Sequence, residues 1–96
     1  MSVEQVFKEK AEAQIEKADA EIQRLQAEVK DQKADAKLDY NEKIEDLKDK
    51  RDEAVERLEE AKDASGEAFR DLKAGYEKAA SDVHESIADA RKRFNG

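Results

Sequence analysis

The 96-residue chain contains no cysteine, no proline and no tryptophan, and only three glycines, two tyrosines and three phenylalanines. Without thiols there can be no disulfide scaffold, no thiolate zinc site and no thiol nucleophile, and nothing points to an oxidising compartment. Few β-branched residues weigh against sheet, and no stretch approaches the ~20 consecutive apolar residues of a membrane span. The opening residues Met1 to Val6 carry neither the basic flank nor the apolar core of a signal peptide. A soluble, cytoplasmic protein is the expectation.

Large apolar side chains are also scarce. Hydrophobic residues make up 38% of the chain, but 16 of them are alanine, leaving 20 that can bury much surface. Each contributes roughly 1.5–3 kcal/mol when buried, against about 1–2 kcal/mol of backbone entropy for every residue ordered, so the isolated chain stands at the edge of folding. What is abundant is charge: 26 acidic and 19 basic residues give a net charge of −7. An acidic balance disfavours nucleic acid as a partner, because phosphate backbones attract the opposite sign.

Within this charged background the apolar residues recur at alternating steps of three and four, the period of an all-α coiled coil. One stripe runs through Ala11, Ile15, Ala18, Ile22, Leu25 and Val29. A second comprises Ala36, Tyr40, Ile44, Leu47, Ala54, Leu58 and Ala61, and a third Phe69, Leu72, Tyr76, Ala79, Val83, Ile87, Ala90 and Phe94. Acidic residues precede basic ones by four positions at Glu4/Lys8, Asp39/Lys43, Asp46/Lys50, Glu53/Arg57 and Asp89/Arg93, which supports exposed helix. Ser2 with Gln5 forms a capping-box pattern that starts the first helix at Val3. The one convincing break is 63–67, where Gly66 can take the left-handed conformation and Ser65 or Asp63 can cap. Gly75 lies inside a periodic segment, where it costs about 1 kcal/mol of helix propensity and leaves room for another backbone. The polar stretch from Lys30 to Asp35 has no turn residue and reads as a soft place in one long helix.

These signals predict a helix over 3–64 and a shorter one over 67–94, folded at Ser65-Gly66 into an antiparallel hairpin. Folding there pairs Ala61 with Phe69, Leu58 with Leu72, Ala54 with Tyr76, Arg51 with Ala79, Leu47 with Val83, Ile44 with Ile87, Tyr40 with Ala90 and Ala36 with Phe94, so that large side chains face small ones. Residues 3–33 then form an arm with an uncovered stripe, which needs a helical partner or a second copy. The alternative divides the chain into thirds, 3–30, 36–64 and 67–94, as a three-helix bundle.

No catalytic, cofactor or metal site is expected. His84 has no second ligand or oriented nucleophile beside it. Asp31, Asp35 and Asp39 share a face, but Lys30, Lys33 and Lys37 are interleaved with them and calcium-loop glycines are missing. There is no glycine-rich phosphate loop and no small-molecule substrate is implied. The run Arg91-Lys92-Arg93 complements the negative end of a helix dipole.

The segment from Tyr40 to Phe94 resembles a family of small bacterial stress-response coiled-coil proteins. The matching residues are Tyr40, Ile44-Glu45-Asp46-Leu47, Leu58, Ser65-Gly66-Glu67-Ala68, Asp71-Leu72-Lys73-Ala74-Gly75 and Arg93-Phe94, with Lys33-Ala34-Asp35-Ala36-Lys37 upstream. The family pattern has tryptophan where this chain has Phe69, and again near Ala80. The resemblance implies a stress-associated, non-enzymatic helical protein. Two functional classes follow: an interaction protein that assembles through the arm, with itself or with a helical client, or an amphipathic protein that orders on a membrane surface as desiccation proteins do. The mixed-sign, net acidic faces favour the first.

Overall fold

A computed structural model describes residues 2–95 and shows three α-helices and no strand among them: α1 (Val3–Val29), α2 (Ala34–Lys62) and α3 (Gly66–Asn95). Helix α1 starts where the capping pattern places it, with Ser2 as N-cap accepting a hydrogen bond from the Gln5 amide at 3.1 Å. The turn into α3 also falls at the expected glycine: Gly66 has φ +63°, the left-handed region that L side chains avoid.

The single helix expected over 3–64 is instead two helices. The chain leaves α1 at Lys30, makes short-range hydrogen bonds from Asp31 N to Glu28 O (3.2 Å) and from Gln32 N to Val29 O (3.0 Å), and re-enters helix after Lys33. Neither glycine nor proline marks this break. Its physical cause is the polar stripe from Lys30 to Asp35, which offers nothing to bury if the helix runs on, whereas reversal carries the apolar stripe of α1 back along the other two helices. The three helix spans follow the division 3–30, 36–64, 67–94 to within two residues at every boundary.

A continuous core joins all three helices. Ile44, Leu47, Ala54, Leu58 and Ala61 of α2 and Phe69, Tyr76, Ala79, Val83, Ile87 and Ala90 of α3 are buried, with Ala36, Tyr40, Leu72 and Phe94 half-buried at its edges. The α1 stripe expected to stand uncovered is in this same core: Ala11, Ile22, Leu25 and Val29 are buried, and Ile15 and Ala18 are half-buried against it. The described chain measures 51 × 20 × 18 Å, with a radius of gyration of 15.4 Å.

At the open end of the α2–α3 pair, Tyr40 and Phe94 meet each other, with ring centroids 4.1 Å apart, a contact that the seam pairing does not include. Helical side chains lean toward their own N-terminus, and in an antiparallel pair those leanings carry the two rings toward one another. Between the helices Lys43 reaches Asp89 at 3.0 Å, and Lys50 Nζ donates to the buried Ser86 hydroxyl at 2.8 Å. Of the five expected four-residue pairs, Asp46/Lys50, Glu53/Arg57 and Asp89/Arg93 form, while Lys43 takes its partner across the helix interface.

Candidate functional site

The joint between α1 and α3 is incompletely filled. Aromatic rings pack across it near the N-terminus of α1. Phe7 packs edge-on against both Phe69 (5.4 Å) and Tyr76 (5.5 Å), and all three are buried. Tyr76 Oη lies 2.8 Å from Gln14 Oε1 and 3.2 Å from the Ala11 carbonyl oxygen; its single proton is donated to one of them at a time. Burial pushes the Tyr76 phenol above its ordinary pKa. At the far end the Arg91 guanidinium donates to the Glu21 carboxylate.

Along this joint, past both features, runs an open groove of about 1120 Å³. Its apolar floor includes Ala11, Ile15 and Ala18 from α1 and Ala80, Val83 and Ile87 from α3, with Ala54 of α2 beneath. Val3 and Val6, 68% and 40% exposed, extend the apolar strip to its mouth. The small side chains at Ala11, Ala18 and Ala80 leave the space between the two helices unfilled. The α1 stripe read from the sequence is thus only partly used internally: Ile22, Leu25 and Val29 are committed to the core, while Ile15 and Ala18 also line the groove.

Arg51 of α2 occupies a seam position between Leu47 and Ala54. Its Nε lies 3.0 Å from Asp19 Oδ1, off the hydrogen-bond axis, and Nη1 lies 3.2 Å from Asp52. A charged side chain here sets the level at which α1 lies on α2, since sliding α1 along α2 would separate Arg51 from Asp19. Near the other end of the α1–α2 joint Lys62 bridges Glu59 (3.0 Å) and Glu12 (3.2 Å), and these carboxylates, Glu59 first, raise its pKa.

Sequence reading missed Phe7, Val3 and Val6. Phe7 stands four residues before Ala11, so extending the stripe by one more helical step would have found it. The room expected beside Gly75 for a second backbone is not used: a Cβ there would meet only the Arg57 side chain, at 3.9 Å. His84 is exposed on the groove wall. Asp31 lies in the first turn, apart from the helical Asp35 and Asp39, and no group of three or more His, Cys, Asp or Glu side chains placed to hold a metal occurs among the described residues. No helix among them is long and apolar enough to cross a membrane. Comparison with protein-family models, with curated proteins and with solved structures gives no match for this chain.

Proposed function

We propose that this is a non-enzymatic interaction protein: a three-helix bundle that receives one helix of a partner protein in the groove between α1 and α3. One observation carries the reading. The half-covered stripe Ile15 and Ala18, continued by exposed Val3 and Val6, faces Ala80 across an open apolar channel that runs along both helices. A fourth amphipathic helix laid there would complete a four-helix bundle, the arrangement in which parallel stripes of this width are usually covered. The stress association implied by the resemblance suits such a role, as a small acidic stabiliser of a helical client.

The test uses a synthetic amphipathic peptide of about four heptads, with a Leu/Ala seam and uncharged glutamine beside it, added to the isotope-labelled full chain. Amide shifts should concentrate at Ile15, Ala18, Ala80 and Val83, and Ile15→Asp should abolish them while leaving helicity intact. Shifts confined to the outer face of α2, or persisting in Ile15→Asp, contradict the proposal.

A further inference from the structure

Resting on that groove as a helix-binding site, we infer that the partner helix is acidic, with Glu or Asp flanking its apolar stripe. The groove inverts the sign of the molecule. The chain carries 26 acidic against 19 basic residues, yet this channel is lined by Lys10 and Lys17 on α1, Lys73 and Arg91 on α3 and Arg51 from below, against two carboxylates, Glu21 and Glu77. Glu21 pairs with Arg91, Glu77 with Lys73 at 3.8 Å, and Arg51 with Asp19 and Asp52, so the positive charge left over is that of Lys10 and Lys17. Lys10 and Lys17, seven residues apart on one wall, form no ion pair among the described residues. That spacing is one heptad, so they present ammonium groups at equivalent positions beside the seam, where coiled-coil partners are selected by opposite charge.

The same charges argue against a second copy of this chain. A two-fold contact through the groove would set Lys10 and Lys17 of one protomer against the cationic walls of the other. Nor does another face offer an apolar stripe: the large hydrophobic residues exposed among those described are Val3 and Val6, which belong to the groove, and the isolated Leu38. A planar anionic lipid surface would meet the acidic outer faces of a chain of net charge −7 together with the groove, whereas a single helix lies within the groove and meets its cations.

The experiment compares two labelled peptides with the same Leu/Ala seam, one flanked by glutamate and one by lysine, titrated against the full chain by fluorescence anisotropy, with sodium oleate as a third probe. The glutamate peptide should bind roughly tenfold more tightly, the order that a few exposed charge pairs produce together, and the difference should collapse at about 0.5 M salt. Lys10→Glu/Lys17→Glu, checked for unchanged helicity, should erase or reverse the preference. Equal binding of both peptides, tighter binding of the lysine peptide, or a preference untouched by the charge reversal would overturn the acidic partner while leaving the groove as a helix site. Binding of neither peptide would overturn both readings, and stoichiometric binding of oleate alone would reassign the groove to an anionic amphiphile.

Discussion

Tyr76 joins the two functions a core residue can have here, filling space between helices and tying α3 to the backbone of α1. Removing its hydroxyl in Tyr76→Phe should cost about 1 kcal/mol at neutral pH. Its phenol is raised by burial, so its contribution is fully present below the ordinary phenol value near 10 and is lost as pH rises through the higher folded value. Urea midpoints measured from pH 8 to 11 should therefore fall more steeply for the native chain than for Tyr76→Phe; parallel curves would show that the phenol is not desolvated. Gly66 and Gly75 give opposite expectations. Gly66→Ala meets no steric obstacle but forces an L residue to φ +63°, costing about 1–2 kcal/mol, whereas Gly75→Ala, in a helix interior with only ordinary contact to Arg57, should gain up to about 1 kcal/mol. Thermal melts of the pair check both signs.

At the scale of the element, periodicity made nearly all of the helix content legible, and Ser2, Gln5 and Gly66 marked two of the helix ends because each has a specific backbone task. The break after Lys30 was legible only as a boundary in the alternative division into thirds, with no turn residue to mark it, since it uses right-handed and extended conformations open to any residue. Lys33 caps α2 with suitable extended geometry (φ −68°, ψ 155°) but no side-chain hydrogen bond, and it places a cation at the positive end of the helix dipole. Lys33→Ser should consequently raise stability by about 1 kcal/mol in urea denaturation; a loss would mean that the lysine holds the turn in some other way. The pairing of α2 with α3 was read correctly in its members, because a hydrophobic stripe fixes which residues face inward. The Tyr40–Phe94 contact was not read, because seam arithmetic ignores the lean of side chains along the helix. Between these helices Lys43 holds the Asp89 carboxyl below its usual range, so that pair persists in acid until pH falls through this lowered value.

For the whole molecule, scarcity of large apolar side chains explains why the α1–α3 groove remains. Alanines at 11, 18 and 80 leave the space between α1 and α3 unfilled, and the aromatic cluster of Phe7, Phe69 and Tyr76 packs across it only locally. The candidate site was half legible: its apolar members Ile15 and Ala18 lie in the stripe that the sequence displays, but its cationic walls come from Lys10 and Lys17 on α1 and Lys73 and Arg91 on α3, more than 50 residues away in the chain, and no local pattern encodes the parallel alignment of these helices. The central claim, that α1 folds back along α2 and α3, is tested most directly by solution scattering with mass determination at low concentration. A 10.9 kDa particle with a radius of gyration near the 15.4 Å of the Cα trace, increased slightly by side chains and hydration, is the predicted result. A radius of about 25 Å or more, as a continuous helix over 3–64 of roughly 90 Å would give, contradicts it.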